Sequence, residues 1–219
     1  MLKYLSIIFE SLAFLVSIFC IKKNKGSYIE WMSLFLFYII LTECLGLYFT
    51  YYLHKPTTPI YLVYQIVSSS FYSYLFYKLL TNNKYIQRFI FGFALINSLI
   101  LCYIFIFISN FIEFNYKMKI IDGIYFVSIS CIYLYTQFMD DELEELLIIK
   151  PGFWIAAGLL LFYSAYSIVI TLHPITSKNK IFVFGLPLHN FFAQVLSVIL
   201  YTCFSAAMIV WKPKTTTSS

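Results

Sequence analysis

Two carboxyls stand where carboxyls are rarely found. Glu10 and Glu43 are each embedded in a long apolar run, residues 4–21 and 29–53. Glu10 sits about two turns into its run, and Glu43 is near the middle of its own. An ionisable group at that depth in hydrocarbon costs a few kcal/mol, so it faces the interior of a helix bundle and takes a partner there. Gln65, Asn97, Asn190 and Gln194 are polar side chains at comparable depths in other apolar runs. Such a set can line a polar pocket that holds a small ligand or an ion. The competing role is structural: a carboxyl hydrogen-bonded between helices as glue.

A second set is His54, His173 and His189, with Glu113 and Asp122 expected at the same level of the chain. Imidazoles and carboxylates at one depth are the donor types of a zinc site. Against that, no two histidines have the i, i+4 spacing that puts two ligands on one helix face. Polar residues also collect at helix ends because headgroups and water solvate them there. A third set is the run Asp140, Asp141, Glu142, Glu144 and Glu145. Its Asp-Asp-x-x-Glu order is faintly like the magnesium-diphosphate motif of prenyltransferases, but the second acidic motif those enzymes need is missing. A solvated helical extension, or a contact surface for a cytoplasmic signalling partner, accounts for Asp140–Glu145 better.

The five cysteines (Cys20, Cys44, Cys102, Cys131, Cys203) form no CxxC pair and read as small apolar packing residues. Residues 188–211 contain no lysine, which a retinal protein would need. P-loop, HExxH and GxSxG motifs are absent from the sequence. No cofactor is implied, except zinc if the histidines act together.

The elements that must position these residues follow from composition. Of the 219 residues, 61% are apolar and only 11% charged, against about 25% charged in an ordinary soluble domain. The charges fall in short runs between apolar stretches, so lipid is a better solvent for this chain than water. The net charge of +5 suits lysines near anionic headgroups, and the lysines form no dense patch of the kind nucleic acid requires. Seven spans are predicted, at 4–21, 29–53, 60–80, 89–109, 120–139, 153–172 and 188–211, each near the ~20 residues needed to cross a hydrocarbon core. All six prolines are expected at span boundaries or in loops, and His173–Pro187 is expected as the longest loop. Residues 1–211 are expected to form one transmembrane domain, and 212–219 a short disordered cytoplasmic tail. The expected fold is all-α, a polytopic seven-helix bundle.

Orientation rests on basic residues. The N-terminal side has Lys3, Lys55, Lys117, Lys119, Lys178 and Lys180; the other side has Lys22, Lys23, Lys25, Lys78, Lys84, Arg88, Lys150, Lys212 and Lys214. The positive-inside rule then puts the N-terminus outside and the C-terminus in the cytoplasm. Pro151 presets the first turn of the sixth helix, Trp154 sits at interface depth, and Ala156, Ala157 and Gly158 offer a small-residue packing face. Gly46, Gly92 and Gly123 are expected to serve packing too.

The segment carrying Pro151, Phe153, Trp154, Ile155, Gly158 and Tyr163, with Asn190 near the start of the last span, resembles small seven-helix inner-membrane proteins common in Bacteroidota. The resemblance implies a bacterial inner-membrane location and an association with sensory signalling, and carries no catalytic residues. The expectation is therefore a non-enzymatic membrane sensor or signalling-accessory module whose pocket opens outward. A metal-dependent membrane hydrolase built on the three histidines is the alternative, and a small transporter the third reading.

Overall fold

The computed structural model describes residues 5–25, 27–81, 84–107, 111–139, 147–179 and 181–211. The acidic run from Asp140 and the tail from 212 lie outside the described residues. Among the described residues there are seven α-helices: α1 (Leu5–Asn24), α2 (Met32–Tyr51), α3 (Thr58–Leu79), α4 (Lys84–Phe107), α5 (Phe111–Phe138), α6 (Pro151–Lys178) and α7 (Leu188–Val210). Long apolar runs fold this way because a helix satisfies its backbone polar groups within the segment, as a bilayer demands. Pro151 opens α6, as its missing N–H and fixed φ favour.

Two predicted breaks are corrected. Residues 111–119 are not a loop. They form the first turns of α5, because charge alone does not stop a helix that has no Pro or Gly. The expected loop from His173 is also shorter, since α6 continues through Pro174 to Lys178. Pro174 is thus inside a helix, near its end, where losing one backbone donor is tolerable. The connection to α7 is a two-stranded hairpin, β1 (Phe182–Val183) against β2 (Leu186–Pro187). Phe184 and Gly185 form its turn, with φ of 50° and 78°, as a tight hairpin turn requires.

Six of the helices are long and apolar enough to cross a membrane, and the chain is a helical membrane bundle. The other helix, α3, has the length but a more polar composition. Its buried residues include Gln65, Ser68, Ser69 and Ser73. That composition matches its position. α3 packs on α2, α4 and α5, so its polar face meets protein instead of lipid.

The principal interfaces run α1–α2, α2–α3, α3–α5, α5–α6, α6–α7 and α7–α1. Those six helices close a ring, and α4 lies outside it against α3. At one end the ring is filled by aromatic packing. Tyr72 touches Phe126 and Phe204 at ring-centroid distances of 5.6 and 5.9 Å, and Phe126 lies 4.9 Å from Tyr163. In lipid the cohesion of such a core comes from close van der Waals contact more than from escape from water. Gly158 serves that contact: a Cβ there would lie 2.8 Å from the Cβ of Cys203. Gly92 does not, for nothing lies within 4 Å of where its Cβ would be. At the same end Lys23 donates to the carbonyl of Ile209, so α1 caps α7, and Tyr28 meets Trp211 edge-on.

Candidate functional site

The opposite half of the ring is hollow. A partly open cavity of about 460 Å³ lies among the six ring helices. The polar lining comes from the first halves of α1, α3, α5 and α7, the second half of α2 and the middle of α6: Ser6 and Glu10 from α1, Glu43 from α2, Tyr61, Tyr64, Gln65 and Ser68 from α3, Lys119 and Asp122 from α5, Tyr163 and Tyr166 from α6, and Asn190, Gln194 and Ser197 from α7. Tyr72, Tyr163 and Tyr201 belong both to this wall and to the aromatic packing below, so they form its floor. Five of the six residues singled out from sequence (Glu10, Glu43, Gln65, Asn190 and Gln194) therefore share one cavity. A larger groove of about 590 Å³, lined by residues such as Trp31, Phe37 and Phe71, is almost entirely apolar in its walls, the composition of a lipid-facing surface.

The carboxyls are held differently. Glu43 accepts a hydrogen bond from the Tyr61 hydroxyl at 3.1 Å. Gly46, one turn along α2, makes room for that tyrosine, since a Cβ there would lie 2.8 Å from the Tyr61 hydroxyl. Glu10 is 4% exposed, lies within electrostatic reach of Glu43 and has Tyr201 beside it. Among the described residues its Oε2 has no hydrogen-bond partner. Two carboxyls near each other in a low dielectric repel when both are charged.

Asp122 is the residue that sequence reasoning misplaced. It was expected at a helix end among headgroups, as a companion to the histidines. It is instead 2% exposed and well inside α5, about 16 Å from Phe111 along the helix, because α5 starts earlier than predicted. Its Oδ2 accepts from Gln65 Nε2 at 2.8 Å and its Oδ1 from Asn97 Nδ2 at 2.8 Å. Asn97 also donates to Ser69 Oγ at 2.9 Å. Asn97 is not among the residues that line the cavity. It reaches through from α4 and fixes Asp122 from behind. The signal in the sequence was Asn97 itself, an amide in mid-helix that needed an acceptor. The six wall tyrosines carried no signal, in a chain with 20 of them.

The histidines do not gather as a trio. His173 and His189 meet edge to face, ring centroids 4.4 Å apart. His54 is exposed just beyond α2, with φ of 50°. Among the described residues no three His, Cys, Asp or Glu side chains converge to hold a metal. The side chain of Glu113 lies outside what is described. The zinc site expected from these three histidines is therefore not assembled.

Fold and site together define a helical membrane bundle with a polar, carboxyl-bearing cavity buried in one half and an aromatic plug in the other. In comparisons with known proteins no family model matches the chain, and no curated protein or solved structure matches it either.

Proposed function

We propose that this chain is a seven-span, non-enzymatic membrane sensor or signalling-accessory protein that binds a small ligand in the ring cavity. The observation that carries this is the convergence of polar side chains from all six ring helices on one chamber of about 460 Å³, a size in the usual range for small-molecule sites. A ligand touching six helices at once biases their relative positions, which is what a sensor needs. The floor favours binding over transport, because Tyr72, Phe126, Tyr163 and Phe204 fill the path to the other half. Ser68, one of the cavity's serines, also favours binding over catalysis: its Oγ donates to the carbonyl of Gln65 instead of facing a base.

The proposal takes α3 as the seventh span, its 22 residues being about 33 Å long. It takes the cavity half as outward-facing. With Lys119 assigned to the cavity, the basic residues outside it stand nine on the C-terminal side against five. A cytoplasmic partner reading the Asp140–Glu145 segment, a bacterial inner membrane and kinship with the small seven-helix proteins named above belong to the same proposal.

The test is a thermal-stability screen of the full chain in lipid nanodiscs against small polar compounds. At least one compound should raise the melting temperature saturably, by mass action worth about 2.7 kcal/mol at a hundred times its Kd. Ala193→Phe, which fills the cavity from α7, should abolish the shift. No stabilising compound, or a shift that survives Ala193→Phe, overturns the reading.

A further inference from the structure

We propose that the cavity's ligand is a small organic cation, its ammonium head seated at Glu10 and Glu43 and its carbon body against the tyrosine rings. The inference rests on the ligand-binding reading above and names the chemistry of the ligand. It starts from charge. The described lining residues include three carboxyls, Glu10, Glu43 and Asp122, against one cation, Lys119. That imbalance alone would say little, because acidic residues often cluster without purpose.

The hydrogen-bond inventory is the independent observation. Two of the cavity's side chains are more than nine-tenths buried and still hold an unpartnered atom: Glu10 Oε2, with the residue 4% exposed, and Gln65 Oε1, with the residue 7% exposed. Gln65 Oε1 is an acceptor, and Glu10 Oε2 is one in the ionised form that a bound cation favours. A buried acceptor left open costs free energy that only a donor recovers. An ammonium group supplies up to three donors and a positive charge together. A carboxylate ligand would add a further acceptor and a further negative charge to the same wall.

The carboxyls divide the cavity unequally. Both oxygens of Asp122 already accept amide hydrogens, from Gln65 and Asn97, and Lys119 lies near it. Glu43 has a single tyrosine donor, and Glu10, hydrogen-bonded to Tyr201, still has an open Oε2. The unmet demand for donors is thus at the α1–α2 wall. A cation placed there also relieves the repulsion between the two glutamates. A bare metal ion fits less well, since no three ligating side chains converge among the described residues. The surrounding aromatic walls suit an organic cation, because the faces of tyrosine rings attract ammonium groups most strongly where water is excluded.

The experiment compares charge at constant shape. Phenethylamine, 2-phenylethanol and phenylacetate, together with tetramethylammonium and a series of short alkylamines and diamines, are titrated into the full chain in nanodiscs by calorimetry. Amines bearing N–H groups should bind at least tenfold more tightly than the neutral and anionic isosteres, and more tightly than tetramethylammonium, which brings the charge without a donor. Glu10→Gln and Glu43→Gln should each weaken ammonium binding about 10- to 100-fold, the size of one lost charge-assisted hydrogen bond. The comparison among ligands on the unaltered chain needs no variant to fold. Equal or tighter binding of the alcohol or the acid overturns the cation assignment and leaves the ligand-binding reading standing, as does ammonium binding indifferent to both glutamine variants. If no member of any class binds, and the broader screen is also empty, both fall.

Discussion

Asp122 and Glu10 face the same cavity and differ in what their oxygens meet. Asp122 is held by amides from two other helices, α3 and α4, each at 2.8 Å. Glu10 has an oxygen without a hydrogen-bond partner among the described residues, in a residue only 4% exposed. A satisfied buried polar group fixes the helices around it. An unsatisfied one costs stability in the empty protein and gains it back when a partner arrives. The same chemical group therefore serves as cement on one wall and as a binding determinant on the other.

The contrast is easiest to break at Asp122. Asp122→Leu leaves Gln65 Nε2 and one Asn97 interaction without an acceptor in a buried site. Each orphaned donor costs on the order of 1–3 kcal/mol, so a loss of about 2–4 kcal/mol is expected. Detergent-titration unfolding measures it. Glu10→Gln, whose amide oxygen can still accept from Tyr201, should cost less than about 1 kcal/mol in the same assay. Equal losses would show that the two walls do the same job.

Next in size is Gly158→Ala, which tests the plugged half alone. Its added methyl would lie 2.8 Å from the Cβ of Cys203. A Cβ cannot rotate away, so α6 and α7 must part. The expected cost is about 1–3 kcal/mol, with ligand affinity changed far less than stability. A collapse of binding at unchanged stability would mean that the plug and the cavity are not separate.

These differences bear on what the sequence could reveal. Glu10, Glu43, Gln65, Asn190 and Gln194 were legible because a polar side chain in an apolar run must go inward, and one end of a bundle is where inward-facing residues from six helices meet. Asp122 was illegible because the charges of Glu113, Lys117 and Lys119 hid the true start of α5 at Phe111. A shift of nine residues moved Asp122 from the surface to the interior. The histidines misled for the opposite reason: similar depth in the sequence says nothing about position around the ring, and only His173 and His189 come together. The polar face of α3 was a further difficulty. Hydropathy measures exposure to lipid, and α3 packs against three other helices.

Asp122→Asn separates charge from hydrogen bonding on the satisfied wall. One oxygen becomes an NH₂ that faces an amide donor. If that donor is Gln65, the repair is a flip of its side chain, because Gln65 Oε1 has no partner to lose. The predicted cost is about 1 kcal/mol, well under that of the leucine variant. A cost as large as the leucine variant's would mean that the charge of Asp122, balanced by Lys119, matters more than its two hydrogen bonds.

The smallest effect on stability should come from Gly46→Ala, and it sharpens the contrast most. The added methyl would sit 2.8 Å from the Tyr61 hydroxyl, which is the far end of a long side chain. The ring can swing aside at little cost, within about 0.5 kcal/mol and partly offset by the better helix propensity of alanine. Swinging aside carries the hydroxyl away from Glu43, whose hydrogen bond from Tyr61 is 3.1 Å long. Glu43 then stands as open as Glu10 does. The unaltered cavity is expected to reward a donor at that wall, so the variant should bind an ammonium ligand at least as tightly as the parent while melting at nearly the same temperature. Paired calorimetry and melting curves decide it. Weaker ammonium binding would show that Tyr61 orients Glu43 for the ligand and does not compete with it, and the two walls would then be more alike than their hydrogen bonds indicate.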